Sequence, residues 1–334
     1  MNDLDRLLQQ MIDLNASDIH LNHRSKITFR IDGQIQQLGP FISGDQIFQL
    51  SLFALSSEQQ RTYHIHRSVD FSYKLDKTRF RGSLVYQKGQ PSCVFRRINS
   101  EITPLEKLGL PPVIQDLASI SWGMVLVTGP TGSGKSTTLA SVIDYINVNK
   151  PYHIITVEQP LEYIHQNKRS IVTQREVGTD TPSFAESMKD ILRQDPDVIL
   201  VGEMRDYETI SAAVTNAETG HLVFGTLHTN TAPQAITRIT DVYPVDQQRG
   251  VRSQLASNLR AVINQRLFPR PGGGRTALYE VMVVNDEIKE LIREGRIELI
   301  YDAMKRSRNE GSMLMEDSIK EAKTKGLIHQ NVVW

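Results

Sequence analysis

A Gly-rich octet with a lysine and a serine offers the clearest chemistry in this sequence. Residues 129–136 read GPTGSGKS, which fits the spacing G-x-x-x-x-G-K-[ST] of a phosphate-binding loop. The glycines let backbone N–H groups turn inward around phosphate oxygens. Lys135 supplies a positive charge for the β- and γ-phosphates, and the Ser136 hydroxyl is an oxygen ligand for Mg²⁺. The octet predicts a site for ATP and Mg²⁺ formed by Gly129, Pro130, Thr131, Gly132, Ser133, Gly134, Lys135, Ser136 and Thr137.

Polar side chains follow three apolar runs that we predict as strands, at His153–Val157, Val198–Val201 and Leu222–Leu227. The residues that follow them include Glu162, Glu203 and His228. Ligands of doubly wound sheets bind at the carboxyl ends of the strands, so we expect these side chains at the same edge as Ser136. A carboxylate there activates water or holds a metal-bound water, and an imidazole there senses the γ-phosphate. A capping or turn role is the alternative for each residue taken singly.

Strands and helices alternate on both sides of this loop. We predict a strand at Gly123–Thr128 and helices at 135–146, 183–193 and 206–218. This alternation indicates an α/β fold, a doubly wound parallel sheet with helices on both faces. Residues from about 280 to 334 are predicted to be helical and charged, with breaks at Gly311 and Gly326.

The first hundred residues have a different pattern. Leu4, Leu7, Leu8, Met11 and Ile12 have helical spacing. Strand-like runs follow at Lys26–Ile31, Val69–Leu75, Arg79–Gln87 and Cys93–Ile98, with Asp32-Gly33 as a hairpin turn. Ser43 and Gln46 form a capping box that predicts a helix to about Gln60. These elements indicate a small α+β domain.

A proline-rich stretch separates the two patterns. Residues 99–115 contain Pro104, Pro111 and Pro112, and Thr103 with Glu106 reads as a capping box. We therefore predict an amino-terminal domain at 1–98, a linker at 99–115, an ATPase core at 116–278 and a carboxyl-terminal helical region at 279–334.

Composition excludes several classes of protein. The 334 residues carry 38 basic and 38 acidic side chains, a balance that argues against coating nucleic acid or anionic lipid by bulk charge. No apolar run approaches the roughly 18–20 residues of a membrane helix. Cys93 is the single cysteine, so an intrachain disulfide and a multi-cysteine zinc site are excluded and a reducing cytoplasm is expected.

Four stretches resemble the signature boxes of the secretion-ATPase superfamily, and most of all those of PilT-type retraction ATPases of type IV pili. They are 129–136, 156–163, 193–206 and 218–229, which match the Walker A, Asp, Walker B and His boxes. Residues 16–21, ASDIHL, are similar to the amino-terminal signature of that family. The resemblance implies a PAS-like first domain and a RecA-like ATPase domain.

The resemblance also implies a role for each matching residue. Glu162 corresponds to the general base for water, and Glu203 to the residue that places Mg²⁺ and water. His228 corresponds to the residue near the γ-phosphate, with His221 as its companion.

Two arginines match arginines of the family that reach across to the nucleotide. Arg81 and Arg96 occupy these positions, on predicted strands. The alternative is that both are ordinary charged residues of the protein surface. An arginine finger is worth roughly 10³–10⁵ in rate in other phosphoryl-transfer enzymes. The family forms a homohexamer, in which such a finger reaches a neighbouring subunit.

The two parts of the chain differ slightly in charge. Residues 1–100 carry 13 basic and 9 acidic side chains, whereas the remainder carries 25 basic and 29 acidic ones. This small difference suits contact between unlike halves of two subunits.

Two features depart from the family pattern. Gln159 stands where an aspartate is usual, so the resemblance predicts a slow rate. The carboxyl-terminal retraction motif is partly present at Glu287–Glu294, where a packed amphipathic helix is the alternative. Relatives that extend pili or secrete proteins usually have an extra amino-terminal domain and a four-cysteine zinc site, and their absence from this sequence favours retraction.

The sequence thus predicts a ring-forming ATPase that powers pilus retraction and so disassembles the pilin fibre. Its expected location is cytoplasmic, at the inner face of the cytoplasmic membrane, where an inner-membrane pilus platform protein receives the work. Alternatives are an ATPase for pilus assembly or type II secretion, and a nucleotide-binding scaffold with weak hydrolysis. A DNA-moving motor is a further alternative, for which Arg266, Phe268, Arg270 and Arg275 are the basic and aromatic residues; we expect no nucleic-acid partner.

Overall fold

The computed structural model describes residues 2–31, 33–76, 78–98 and 101–332. Asp32 of the predicted hairpin turn and residues 99 and 100 of the predicted linker lie outside these ranges. The chain divides into two compact units, Met1–Glu101 and Ile102–Trp334.

Within its described residues, the first unit contains one antiparallel sheet and three helices. Its helices are α1 (Asp3–Asp13), α2 (Gly44–Leu52) and α3 (Ser57–His66). Its strands are β1 (Asp18–Asn22), β2 (Ser25–Ile31), β3 (Gln34–Ile42), β4 (Ser68–Leu75), β5 (Thr78–Gln87) and β6 (Gln90–Ile98). The sheet order is β3-β2-β1-β6-β5-β4, with every neighbouring pair antiparallel. The prediction of a small α+β unit is confirmed, although β1 and β3 were not predicted.

The core of this unit lies on one face of the sheet. A register row across the strands joins Phe29, Ile19, Phe95, Gly82 and Phe71. The apolar stripe of α1 belongs to the same buried cluster as these aromatic rings. Side chains on alternate strand positions therefore face away from the core, which leaves a second face with polar residues.

The helix predicted from Ser43 to about Gln60 is wrong beyond Leu52. The capping box at Ser43 is confirmed, since Ser43 Oγ accepts from the Gln46 backbone N–H at 3.2 Å. A second box interrupts the run: Ser56 Oγ accepts from the Gln59 N–H at 3.2 Å, and the Gln59 side chain accepts from the Ser56 N–H at 3.0 Å. This local cap starts α3 as a separate helix.

The second unit contains a seven-stranded, mostly parallel sheet. Its strands are β7 (Gly123–Thr128), β8 (His153–Glu158), β9 (Ile171–Glu176), β10 (Val198–Val201), β11 (Leu222–Leu227), β12 (Leu259–Pro269) and β13 (Arg275–Val283). Its helices are α4 (Val113–Leu117), α5 (Lys135–Asn149), α6 (Phe184–Ile191), α7 (Tyr207–Glu218), α8 (Ala232–Asp241), α9 (Gln248–Asn258), α10 (Asp286–Glu294), α11 (Ile300–Arg306) and α12 (Met315–Thr324). The order is β13-β12-β7-β11-β10-β8-β9, and the β12–β13 pair alone among these neighbours is antiparallel.

Apolar residues cover both faces of this sheet. In β7, Met124 and Leu126 belong to one buried cluster, whereas Val125 and Val127 belong to another. The first cluster includes residues of α7 to α10, and the second includes residues of α5. The predicted doubly wound α/β fold is therefore observed, with one antiparallel strand at the edge.

Two local predictions for the second unit differ from the structure. Thr103 and Glu106 form no capping box: a short 3₁₀ turn, Leu105–Lys107, follows Pro104 instead and has no side-chain cap among the described residues. Strand β13 continues to Val283 and thus crosses the boundary predicted at residue 278. Within the described ranges, none of the helices combines the length and apolar character of a membrane-spanning segment.

We predict that Gly82→Ala destabilises the first unit. A Cβ at Gly82 would lie 2.1 Å from Phe71 Cζ, so the ring has to move within a packed core. The expected loss is about 1–3 kcal/mol in the free energy of unfolding, measured by chemical denaturation. Ser83→Ala, on the opposite face of β5, is the matched control; equal stability of the two variants would contradict the packing argument.

Candidate functional site

The Gly-rich octet forms the turn between β7 and α5. Gly129 has φ of 138°, and a Cβ there would lie 2.3 Å from the backbone oxygen of Gln265. Gly134, with φ of 90°, precedes the first residue of α5. Side chains larger than hydrogen are therefore excluded where the loop approaches β12.

Two buried amides on β12 hold this loop in place. Gln265 Nε2 donates to the Ser133 backbone oxygen at 2.8 Å, and Gln265 Oε1 accepts from Thr138 Oγ1 at 2.7 Å. Asn264 Nδ2 donates to Thr128 Oγ1 at 2.9 Å and to the Thr229 backbone oxygen at 3.0 Å. Sequence reasoning missed both residues; their only signal is a pair of amides inside an apolar run.

Lys135 is folded back onto its own loop. Its Nζ donates to the backbone oxygens of Gly129 at 2.8 Å and Pro130 at 3.1 Å. Burial lowers the pKa of Lys135, and the charges of Glu203 and Glu162 oppose that shift. No side chain of the described residues caps α5, so the N–H groups of its first turn and the positive end of its dipole remain available to an anion.

The structure brings Glu203 and His228 together. They follow β10 and β11, and His228 Nε2 lies 3.1 Å from Glu203 Oε1. Arg205, which sequence reasoning missed, pairs with the same carboxylate oxygen. One acid therefore holds two nitrogen partners, which places its carboxylate at this edge of the sheet.

His221 does not join this group within the chain. It precedes β11, and its Nδ1 lies 2.9 Å from the Asn216 backbone oxygen. Strand β11 separates it from His228 by roughly 20 Å, at about 3.3 Å a residue. Within one chain, His221 therefore lies away from His228, at the opposite end of β11.

Glu158, at the end of β8, is the acid that sequence reasoning passed over. Its Oε1 accepts from Thr156 Oγ1 at 2.7 Å and from Gln174 Nε2 at 3.4 Å. Burial raises the pKa of Glu158 to about 7, against the lowering effect of these two hydrogen bonds. Its position directly after a buried strand was the available signal.

Glu158 and Ser136 line one small cavity. Its volume is about 30 Å³, enough for a water molecule. The lining consists of Ser136, Leu139, Ala140, Glu158, Tyr163, His165, Leu200, Gly202 and Thr226. The cavity therefore lies between the first turn of α5 and the ends of β8, β10 and β11.

Glu162 is exposed beside this cavity. Its backbone hydrogen-bonds to Glu158, and its charge acts on Lys135. The next residue, Tyr163, has its hydroxyl 2.8 Å from Thr137 Oγ1, which fastens the segment to α5. The geometry thus leaves the Glu162 carboxylate open to solvent near the phosphate loop.

Arg81 and Arg96 belong to the first unit. They face each other in the register of β5 and β6. Arg81 pairs with Asp70 at 3.1 Å and Arg96 with Asp18 at 2.7 Å. Both arginines are already held by carboxylates of their own sheet.

The side chains near the loop suit a magnesium ion. Ser136, Glu158 and Glu203 offer oxygen atoms, the ligand type that Mg²⁺ requires. In the described part of the chain, no cluster of three or more His, Cys, Asp or Glu could form a protein-only metal cage. Such a site fits an ion that takes one or two carboxylates and completes its shell with water and phosphate oxygens.

Comparisons with known proteins bear on the family and the fold of this chain. The sequence pattern of a family described as "Type II/IV secretion system protein" matches residues 1–272. The type IV pilus retractation ATPase PilT of Pseudomonas aeruginosa is 41% identical over 328 residues, covering 98% of this chain and 95% of the relative. A twitching motility protein of Neisseria gonorrhoeae is 44% identical over 302 residues, covering 90% of this chain and 81% of the relative.

A solved structure gives the same result for the fold. It is a crystal structure of the pilus retraction motor PilT with bound ADP, 44% identical, with a TM-score of 0.90 and coverage of 99% of this chain and 95% of that one. The likeness covers nearly the whole chain. The chain belongs to the family of type II/IV secretion system proteins.

Proposed function

We propose that this chain is a Mg²⁺-dependent ATPase that powers retraction of a type IV pilus. One observation carries the proposal: the charges of Glu162 and Glu203 act on Lys135, which begins a helix that no described side chain caps, directly after the phosphate loop. Resemblance to a retraction ATPase over nearly the whole chain supports the direction of the work.

The residues divide the chemistry among them. The loop N–H groups and Lys135 bind the phosphates, while Ser136 and Glu203 hold Mg²⁺, directly or through water. The metal neutralises charge on the phosphates when bound. Glu162 accepts the proton of the attacking water, since its carboxylate is exposed and close enough to act on Lys135. His228, paired with Glu203, responds to the presence of the γ-phosphate.

The assembly follows from the family. We infer a homohexamer in which a PAS-like first domain, residues 1–98, presents Arg81 and Arg96 to the nucleotide of a neighbour. A linker at 99–115 joins it to a RecA-like core. The core is assigned to 116–283 rather than 116–278, because β13 extends to Val283. Helices α10 to α12 complete the chain.

The partners follow from the proposed work. The ring acts in the cytoplasm at the inner face of the membrane, on an inner-membrane pilus platform protein and through it on pilin. The proposal includes no nucleic-acid partner. Arg266, one of the basic residues considered for such a partner, donates to the Asn230 side chain at 3.3 Å.

Lys135→Ala should reduce steady-state phosphate release from Mg²⁺-ATP at least about 100-fold, because it removes the charge that contacts the terminal phosphates. Lys150→Ala, at the other end of α5, is the matched control and should retain wild-type turnover. Equal rates for Lys135→Ala and wild type would remove the catalytic assignment.

Cells that lack this chain should carry excess pili that do not retract. Pilus number and retraction are counted by fluorescence microscopy, with a plasmid copy of the wild-type gene as the positive control and Lys135→Ala as the inactive one. Bald cells would instead indicate assembly, the function of other members of the superfamily.

Glu158→Gln should remove a pH dependence of stability. The folded protein keeps the Glu158 proton up to about pH 7, whereas the carboxyl ordinarily titrates near 4.5, so the free energy of unfolding falls as the pH rises through this window. We expect Glu158→Gln to be stabilised relative to wild type by roughly 5 °C in Tm at pH 8 but not at pH 4.5, without nucleotide or Mg²⁺. Glu162→Gln, which changes an exposed carboxyl, is the control; a parallel pH profile for Glu158→Gln and wild type would contradict the burial of this acid.

A further inference from the structure

A row of arginines crosses the open face of the first sheet. The strand register places Arg30 on β2 opposite Asp18 on β1, Asp18 opposite Arg96 on β6, and Arg96 opposite Arg81 on β5. Directly opposed residues point to the same side of a sheet. The row lies on the face away from the aromatic core, because its neighbours in sequence, such as Ile19 and Phe95, form the core row.

Asp18 is the centre of this row. Its carboxylate accepts from Arg96 Nε at 2.7 Å and from Ser17 Oγ at 2.7 Å, and it lies 3.8 Å from Arg30 Nε. The Asp18 side chain is 4% exposed, whereas those of Arg30 and Arg96 are 38% and 65% exposed. Burial opposes ionisation of Asp18, but the hydrogen bonds from Ser17 and Arg96 outweigh it and lower the pKa of Asp18.

The face as a whole is basic. Strand alternation puts further cations on the same side as the row, namely Lys26, Lys74 and Arg79. Among the described residues of the six strands, the acids of this face are Asp18 and Asp70. Guanidinium groups held in a fixed row suit phosphate oxygens, to which they donate pairs of parallel hydrogen bonds.

We propose that Asp18 is a positioning residue that holds Arg30 and Arg96 in line with Arg81, and that Arg30 joins these two in contacting the phosphates of ATP bound by a second copy of the chain. This inference rests on the proposed function and adds Arg30 and Asp18 to it. Charge complementarity selects the occupant: the row is positive and open, and the nucleotide edge combines a polyphosphate with the carboxylates of Glu162 and Glu203.

The physical role of Asp18 is to reduce the freedom of two long side chains. An exposed arginine samples many rotamers, and a contact made only in the transition state must overcome that entropy. A buried carboxylate between two arginines fixes them before the phosphate arrives. Arg30 Nη1 also donates to the Gly33 backbone oxygen at 2.9 Å, and the remaining N–H groups of each fork can donate further.

The first test compares single variants by steady-state ATP hydrolysis. Asp18→Asn and Arg30→Gln should each lower kcat about tenfold, while the equilibrium affinity for a fluorescent ATP analogue stays within about twofold of wild type. Arg97→Gln is the matched control, since Arg97 lies next to Arg96, on the opposite side of β6, and hydrogen-bonds to Asn15 at 2.6 Å. Unchanged kcat in Arg30→Gln, with its fold checked by its melting temperature, overturns the assignment.

The second test separates positioning from a general loss of stability. If Asp18 acts through Arg96, Asp18→Asn should lower kcat much less in an Arg96→Gln background than in wild type. Equal factors in both backgrounds overturn the positioning role, and melting temperatures measured beside the kinetics identify any variant that has lost its fold.

The third test identifies the source of the phosphate. Lys135→Ala keeps the arginine row and loses the loop, whereas an Arg30→Gln/Arg96→Gln double variant keeps the loop and loses the row. Mixing the two impaired proteins should give more turnover than the average of the two measured separately if the row acts on a second copy, and turnover equal to that average overturns that occupant. If the wild-type protein shows no ATP hydrolysis at all, that result would instead refute the proposed function.

Discussion

The nucleotide edge of this protein depends on two buried amides that extend from β12 toward the phosphate loop. Gln265 fixes the loop backbone at Ser133 and the first turn of α5 at Thr138, while Asn264 ties the end of β7 to the segment that follows His228. Each amide is nearly or fully buried, so a lost partner costs far more than an exposed hydrogen bond would. The loop is thereby held ready to bind before any phosphate arrives.

The ionisable side chains around the phosphate loop differ in how far they are buried. Lys135 and Glu158 lie in partly or largely buried positions that disfavour their charged forms, whereas Glu162 is exposed. In the proposed ATPase, phosphate and Mg²⁺ would supply charges opposite to those of Lys135 and Glu158, so binding would relieve an electrostatic cost already present in the folded chain. The arginine row of the first unit differs: the buried Asp18 pairs with Arg30 and Arg96, and the row keeps a net positive charge.

Sequence reasoning succeeded where local patterns decide the outcome. The bounds of β7, β10 and β11 were predicted because each is an unbroken apolar run, and the phosphate loop was found because its residues are contiguous. The amides of Asn264 and Gln265 interrupt the apolar pattern of β12, which concealed that strand. The burial of Glu158 and the row through Asp18 depend on neighbours far away in the chain, so single-sequence patterns do not reveal them.

Glu203 shows how this edge would operate in a working cycle. Its carboxylate is shared between the His228 ring and the Arg205 guanidinium, so an incoming cation finds it already engaged. In the proposed ATPase, capture of magnesium-bound nucleotide would be an exchange of ion partners rather than an addition, and loss of the product would reverse it. Arg205, whose side chain is 72% exposed, is the partner that such an exchange would turn toward solvent.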